Sequence, residues 1–139
     1  YQGDKSFAYV ANYGHGMATH EHVRAYRAWA AHCFWGRPIT RLTAMGTVEQ
    51  GELKVSAIVQ SQSEITELRL LYCFKKAARF NDAKDRYKSL PMKRVGNGGY
   101  WKAALPSDRE VYWYVEARDR AQGFESIATT LLKRTQRNR

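Results

Sequence analysis

Apolar residues follow two different periods in the two parts of this chain. Residues 5–10 contain the unbroken run from Phe7 to Val10, which is typical of a strand buried on both faces. Further along, apolar residues recur three or four positions apart, which predicts an amphipathic helix of about four turns. They are Val23, Tyr26, Ala30, Cys33 and Phe34. Thr19 offers an N-cap, and Gly36 followed by Pro38 predicts the end of the helix.

Beyond residue 51 the hydrophobic period changes to two. Apolar residues alternate with mostly polar ones from Leu53 to Val59, which is typical of a strand with one buried face. Turn-forming clusters separate five further predicted strands, at residues 65–74, 85–92, 99–105, 111–117 and 124–132. Six short strands of this kind favour a β-sandwich. Residues 37–51, which contain two glycines and few apolar positions, are predicted to be a linker.

Composition narrows the class of protein. A chain with 44% hydrophobic and 13% aromatic residues can bury a core, and it contains no apolar run long enough for a transmembrane helix. The net charge of +10 is concentrated in residues 75–94 and 133–139, which we interpret as a solvated loop and a basic tail. Nucleic acid is therefore not an expected partner. Cys33 and Cys73 are expected to be buried free thiols, with a disulfide as the alternative.

A glycine-flanked histidine follows the N-terminal strand directly, in the segment Asn12-Tyr13-Gly14-His15-Gly16. The two glycines allow a sharp turn and keep neighbouring side chains away from the imidazole. A histidine at the end of a strand suits the general base of a serine hydrolase, which takes the proton of the serine hydroxyl and returns it to the leaving group. The alternative is a loop histidine that caps a turn.

The other catalytic groups cannot be found in this sequence. In α/β-hydrolases the nucleophilic serine and the acid precede the histidine, and the serine lies in a G-x-S-x-G turn, which is absent here. Asp4 precedes the first predicted strand, at the wrong end for the acid. We therefore expect the chain to be the C-terminal part of a larger hydrolase, with its nucleophile upstream and no activity by itself.

Two parts of the chain resemble known families. Val10 to Gly16, the predicted helix and Gly36 to Pro38 resemble the C-terminal end of secreted α/β-hydrolases, most closely the PhoPQ-activated pathogenicity-related family and its acetyl-xylan-esterase-like relatives. In those proteins an Ig-like β-sandwich follows the last helix. Residues 79–87 resemble a turn of that appended domain. Residues 114–126 resemble the last hairpin of fibronectin-type and Ig-like modules.

The resemblance implies a fold, a function and a location. The expected fold is an α+β composite, in which residues 1–36 supply the last strand, histidine loop and helix of an α/β-hydrolase sheet. Residues 37–51 would be the linker, residues 52–132 the Ig-like sandwich and residues 133–139 the basic tail. His15 acquires the catalytic role, and its loop would be shaped by Asn12, Gly14 and Gly16. The expected substrate is an ester or peptide, and the expected location is extracellular or periplasmic.

Two other groups of residues could carry chemistry. His20 and His22 lie close to His15, but two positions on a helix point roughly 200° apart, so we expect no metal and no cofactor. Five aromatic residues could form a stacking platform, although a buried core with one cross-strand ladder is favoured. They are Tyr72, Trp101, Tyr112, Trp113 and Tyr114, of which Trp113 is expected to be buried and Tyr112 and Tyr114 exposed.

A non-catalytic β-sandwich that binds carbohydrate or a protein partner is the main alternative function, and a basic nucleic-acid-binding module is a lesser one. One observation separates the first two hypotheses. If the helix belongs to a larger hydrolase, apolar side chains such as Tyr26 and Phe34 should be exposed in the isolated chain. If the sandwich covers them, the hydrolase hypothesis loses support.

Overall fold

The computed structural model describes residues 20–74 and 87–135, which form one helix and nine strands. In chain order these are α1 (His20–Trp35), β1 (Arg41–Glu49), β2 (Glu52–Gln60), β3 (Glu64–Cys73), β4 (Lys88–Pro91), β5 (Lys93–Arg94), β6 (Tyr100–Pro106), β7 (Val111–Ala121), β8 (Phe124–Thr129) and β9 (Lys133–Thr135).

Two antiparallel sheets pack face to face. The front sheet has the strand order β1-β2-β6-β5, and the back sheet has the order β4-β3-β7-β8. Strand β9 also belongs to the back sheet, because it pairs with the first residues of β7 while β8 pairs with the last ones. The chain crosses between the sheets at Met92, whose buried position follows β4 and precedes β5. The β-sandwich predicted from the alternating pattern is thus confirmed.

The predicted α+β composite fold is wrong. The described residues contain no α/β-hydrolase sheet: all their strand pairs are antiparallel, and α1 packs against β8 at the edge of the sandwich. A helical period indicates that a helix forms, but it does not tell which element the helix packs against. The N-terminal strand predicted at residues 5–10 lies outside the described residues.

The core lies between the inner faces of the two sheets. The alternation from Leu53 to Val59 places four apolar side chains of β2 there, as predicted. Trp113 of β7 is buried opposite Gly46 of β1, so close that a Cβ atom on Gly46 would lie 2.5 Å from the indole Cζ2. Glycine at this position therefore makes room for the indole ring. Residues 41–49, within the segment expected to be a linker, form strand β1. The glycine at an inner position makes the apolar alternation of this strand weak.

Strand β7 is buried on both faces. On the outer face of the back sheet, a second apolar cluster covers its tyrosines and consists of Leu71, Cys73, Tyr87, Tyr112 and Tyr114. The prediction that Tyr112 and Tyr114 are exposed is therefore wrong, whereas the burial of Trp113 is confirmed. A stacking platform for sugars on these two tyrosines is excluded by their burial.

Helix α1 has the bounds that its sequence predicts. Gly36 adopts a φ of 65°, and its N–H donates to the His32 carbonyl at 3.1 Å, which closes the helix in the left-handed conformation that glycine favours. Cys33 on this helix is exposed, contrary to prediction, whereas Cys73 is buried. The two cysteines form no disulfide, so the disulfide alternative is excluded. Among the described residues, no helix combines the length and apolar character needed to cross a membrane.

Candidate functional site

The residues assigned to catalysis from the sequence are not covered by the structure. His15 and its loop residues Asn12, Gly14 and Gly16 all lie outside the described residues. The catalytic role of His15 therefore remains a prediction.

The remaining histidines, His20, His22 and His32, lie on α1. His20 is exposed at the first position of the helix. The Nδ1 atom of His32 lies 2.8 Å from the carbonyl oxygen of Arg37, and its ring stacks on Trp29 with a centroid distance of 5.5 Å. In the ranges 20–74 and 87–135, no three histidine, cysteine or carboxylate side chains are grouped so as to hold a metal ion.

A buried ion pair fixes the C-terminal end of α1 to the sandwich. Arg37 follows the helix, and its Nη2 donates to Asp119 Oδ1 of β7 at 2.6 Å. The Thr40 hydroxyl donates to the other carboxylate oxygen at 2.5 Å, and the guanidinium lies 4.8 Å from the centre of the Phe124 ring. Both charged side chains are almost completely buried. Both carboxylate oxygens of Asp119 accept hydrogen bonds, one from Arg37 and one from Thr40. This buried ion pair therefore fixes the position at which the chain leaves the helix and enters the sandwich.

Weaker charge pairs hold the rest of the helix. Arg24 lies 3.7 Å from Glu125 of β8, and Glu21 lies 3.9 Å from Arg118 of β7. Glu125 also accepts a hydrogen bond from Arg120 at 2.9 Å. This hydrogen bond lowers the pKa of the Glu125 carboxyl and raises the pKa of Arg120. Glu125 therefore stays ionised and joins the helix to the last hairpin.

A carboxylate neighbour raises the pKa of Tyr112. Its hydroxyl donates to Glu110 at 2.6 Å, and this hydrogen bond is the main reason why the pKa of Tyr112 is raised. A phenol with a raised pKa keeps its proton at neutral pH. Tyr112 therefore acts here as a hydrogen-bond donor within the back sheet.

The two faces of α1 differ sharply in what covers them. Ala28 and Ala31 are buried against the sandwich, and α1 makes its main contacts with β8. Large apolar side chains lie elsewhere on the helix and are exposed: Tyr26 by 70%, Phe34 by 76% and Trp35 by 73%. The helix thus presents a solvent-facing apolar stripe, which we define by Val23, Tyr26 and Phe34, and Trp35 is exposed at the end of the helix. A stripe of this kind is typical of a helix that a second surface covers.

The outer face of the front sheet carries an open groove with a volume of about 830 Å³. Strand register places Met45, Ser56, Lys102 and Lys93 in one row across the four strands of this sheet. Apolar residues form most of the lining, and Met45 is 75% exposed. The charged residues that line it are all cations: Lys54, Lys93, Arg94 and Lys102.

The sequence pattern did not reveal this groove. Its two ends come from β1, which lies in the segment expected to be a linker, and from short β5, while β2 and β6 form the part between them. The available signal was the inward series Leu42, Ala44, Gly46 and Val48, which alternates with exposed residues. Because one inner position is a glycine and another an alanine, the alternation is weak.

Comparison of the chain with models of known families, with curated proteins and with solved structures finds no match. The resemblance to hydrolases noted in the sequence therefore rests on its motifs and is a hypothesis to be tested.

Proposed function

We propose that this chain is the C-terminal part of a larger serine hydrolase, to which it contributes the general-base histidine His15 and an accessory Ig-like β-sandwich. The observation that carries the proposal is the exposed apolar stripe of α1. Exposure of Tyr26 and Phe34 is the outcome expected if the helix belongs to a larger protein. Burial of both side chains by the sandwich would instead have weakened the hydrolase hypothesis.

The geometry of the helix supports this assembly. The alanine face and the Arg37–Asp119 ion pair attach α1 firmly to the sandwich, so the orientation of the apolar stripe is fixed. A fixed apolar stripe loses little entropy when a second domain covers it, and the burial of its aromatic side chains favours association. The upstream part of the hydrolase is the proposed occupant. The helix would then join the sandwich to the segment that carries His15.

In the proposed reaction, His15 accepts the hydroxyl proton of a serine in the upstream part and later returns it to the leaving group of an ester or peptide substrate. A carboxylate from the upstream part would hold the other ring nitrogen and stabilise the imidazolium. Asn12, Gly14 and Gly16 would shape the loop. The chain of residues 1–139 is expected to be inactive by itself, because it contributes no nucleophile.

A serine-reactive fluorophosphonate probe tests the proposal on the product of the full coding sequence. We expect labelling of one serine in the unaltered protein and loss of labelling in His15→Ala, because the serine then lacks its base. His20→Ala is the matched control, since His20 is an exposed neighbour at the start of α1. Labelling that persists in His15→Ala, or the absence of any reactive serine, would contradict the proposed function.

A further inference from the structure

Four cations and no carboxylate line the groove on the front sheet among the described residues. Of its four cations, Lys54 has a partner, because its Nζ lies 3.0 Å from Glu49. None of the ion pairs among the described residues includes Lys93, Arg94 or Lys102. Three cations therefore border a mainly apolar groove.

Two of these cations face each other across neighbouring strands. Lys93 of β5 and Lys102 of β6 are direct partners in the strand register. Directly opposed side chains have their Cβ atoms about 5 Å apart, and like charges in such pairs destabilise a sheet. A bound anion between the two ammonium groups would remove this repulsion, so the pair is suited to receive a carboxylate.

The third cation is held in place by its own loop. Arg94 donates from Nε to the Gly98 carbonyl at 3.1 Å and from Nη2 to the Asn97 carbonyl at 2.9 Å. A guanidinium has five N–H donors, so several remain for a ligand. Because the loop fixes the side chain, little rotamer entropy is lost when an anion binds.

The remainder of the groove suits an apolar chain. From Lys93 the row of facing residues runs over Lys102 and Ser56 to Met45, a path of three strand spacings or roughly 14 Å. The exposed methionine at its end is a flexible apolar contact, and the total volume lies in the range of small-molecule sites.

We propose that this groove binds a medium-chain fatty acid, with the carboxylate between Lys93 and Lys102 and the alkyl chain directed across the strands toward Met45. The cationic end recognises the charge, and the apolar floor recognises the chain. This assignment does not depend on the proposed hydrolase function.

Titration calorimetry of the 139-residue chain with dodecanoate, below its critical micelle concentration, tests the proposal. We expect one binding site, and we expect the Lys102→Glu variant to bind about tenfold more weakly or worse, because a charge-assisted contact is replaced by repulsion. Lys93→Gln should weaken binding less, since it removes one of two facing cations. Lys88→Glu is the matched control, because Lys88 is exposed on the back sheet and does not line the groove.

Two further ligands, dodecyltrimethylammonium and an acidic apolar peptide, distinguish recognition of the fatty-acid carboxylate from nonspecific hydrophobic binding and from peptide binding. Dodecyltrimethylammonium has the same chain with the opposite charge and should not bind. Equal binding of both amphiphiles, or dodecanoate binding that is unchanged in both Lys102→Glu and Lys93→Gln, would overturn the proposal, and so would the absence of dodecanoate binding. Tighter binding of an acidic apolar peptide than of dodecanoate would also overturn it and would assign the groove to a protein partner. Far-UV circular dichroism verifies that each variant is folded.

Discussion

Strand β7 and helix α1 both carry several large aromatic residues, but these side chains differ in their burial. On β7, Trp113 points into the core between the sheets, and Tyr112 and Tyr114 are covered by the second cluster on the outer face. On α1, the buried positions are alanines, and Tyr26 and Phe34 are exposed. The strand therefore buries its large aromatic side chains within this chain, whereas the fully buried residues of the helix are alanines.

An apolar pattern reports burial differently in a strand and in a helix. A period of two in a sandwich strand reports a face that the same domain buries, because the opposite sheet lies directly across the core. A period of 3.6 in a helix reports a stripe that some surface covers, but that surface need not belong to the described residues.

Trp113→Ala should have the largest effect on stability. Loss of this buried indole is expected to lower the free energy of unfolding by about 3–5 kcal/mol, because a cavity remains in the core. Denaturant unfolding followed by far-UV circular dichroism measures the change. Trp35→Ala, at the exposed end of α1, is the control and should change the free energy by about 0.5 kcal/mol or less. Similar losses of stability in the two variants would mean that the tryptophan of α1 contributes as much to the fold as the tryptophan of β7.

Asp119→Ala should come next, with a loss of about 3 kcal/mol in the free energy of unfolding. The change leaves the buried guanidinium of Arg37 without its carboxylate, and such losses are at least of this size. Arg37 still donates to the Pro38 carbonyl at 3.1 Å, which limits the effect. The same unfolding measurement applies to Asp108→Ala, whose exposed carboxylate lies 3.7 Å from Arg109 and should matter little. A stable Asp119→Ala protein would show that the ion pair does not fix the helix.

Gly46→Ala should cost about 1–3 kcal/mol, because the added methyl group would overlap the Trp113 ring and force one of them to move. Gly98→Ala is the control, since an added Cβ meets nothing within 4 Å and the backbone there does not have a positive φ. Thermal unfolding of the two variants compares them directly. Equal melting temperatures would mean that β1 can shift away from Trp113 without cost.

These contacts explain how much of the fold the sequence could predict. Each of the six predicted segments contains a strand. The alternation from Leu53 to Val59 reports the buried face of β2 directly. Strand β1 was missed because Gly46 occupies an inner position, where Trp113 fills the space that a side chain would take. Strands β5 and β9 are too short, at two and three residues, for any period to be recognised.

The helix was predicted with the correct ends but in the wrong environment, as the last helix of an α/β-hydrolase sheet, whereas it packs against β8 of the sandwich. Its large apolar residues suggested the buried face, yet the sandwich contacts Ala28 and Ala31, whose small side chains let the helix approach β8 closely. The double-sided burial of Tyr112 and Tyr114 was missed for a related reason. Their cover includes Tyr87 and Leu71, which lie far away in the sequence. The candidate groove depends on β1 and β5 together, so the missed strands concealed it.

The pH dependence of Glu125 should give a smaller effect, confined to the junction of helix and sandwich. The hydrogen bond from Arg120 lowers the pKa of Glu125 in the folded protein below its unfolded value. Its stabilising contribution is therefore present above the unfolded pKa of glutamate and is lost as the pH falls through the folded pKa. We expect Glu125→Gln to lower the melting temperature slightly at neutral pH and to have no effect in strong acid. Arg120→Gln should reproduce this pattern, and an equal loss at both pH values would contradict it.

Substitution of the exposed stripe should have the smallest effect on the 139-residue chain. Tyr26→Ser combined with Phe34→Ser is expected to change the free energy of unfolding by about 0.5 kcal/mol or less, because both side chains are already in contact with water. Ala31→Asn, at a buried position of the same helix, should cost about 1–3 kcal/mol, since it buries an amide against β8. Denaturant unfolding of the three proteins distinguishes the two faces.

The same double variant in the product of the full coding sequence tests whether the stripe has a partner. If the upstream part of the hydrolase covers α1, loss of two buried aromatic side chains should lower the melting temperature of the full-length protein while leaving the shorter chain unchanged. A loss in both proteins would mean that the sandwich itself uses the stripe. No loss in either would mean that the stripe is exposed in the full-length protein as well. The aromatic side chains of α1 would then differ from those of β7 in both proteins, because neither protein would bury them.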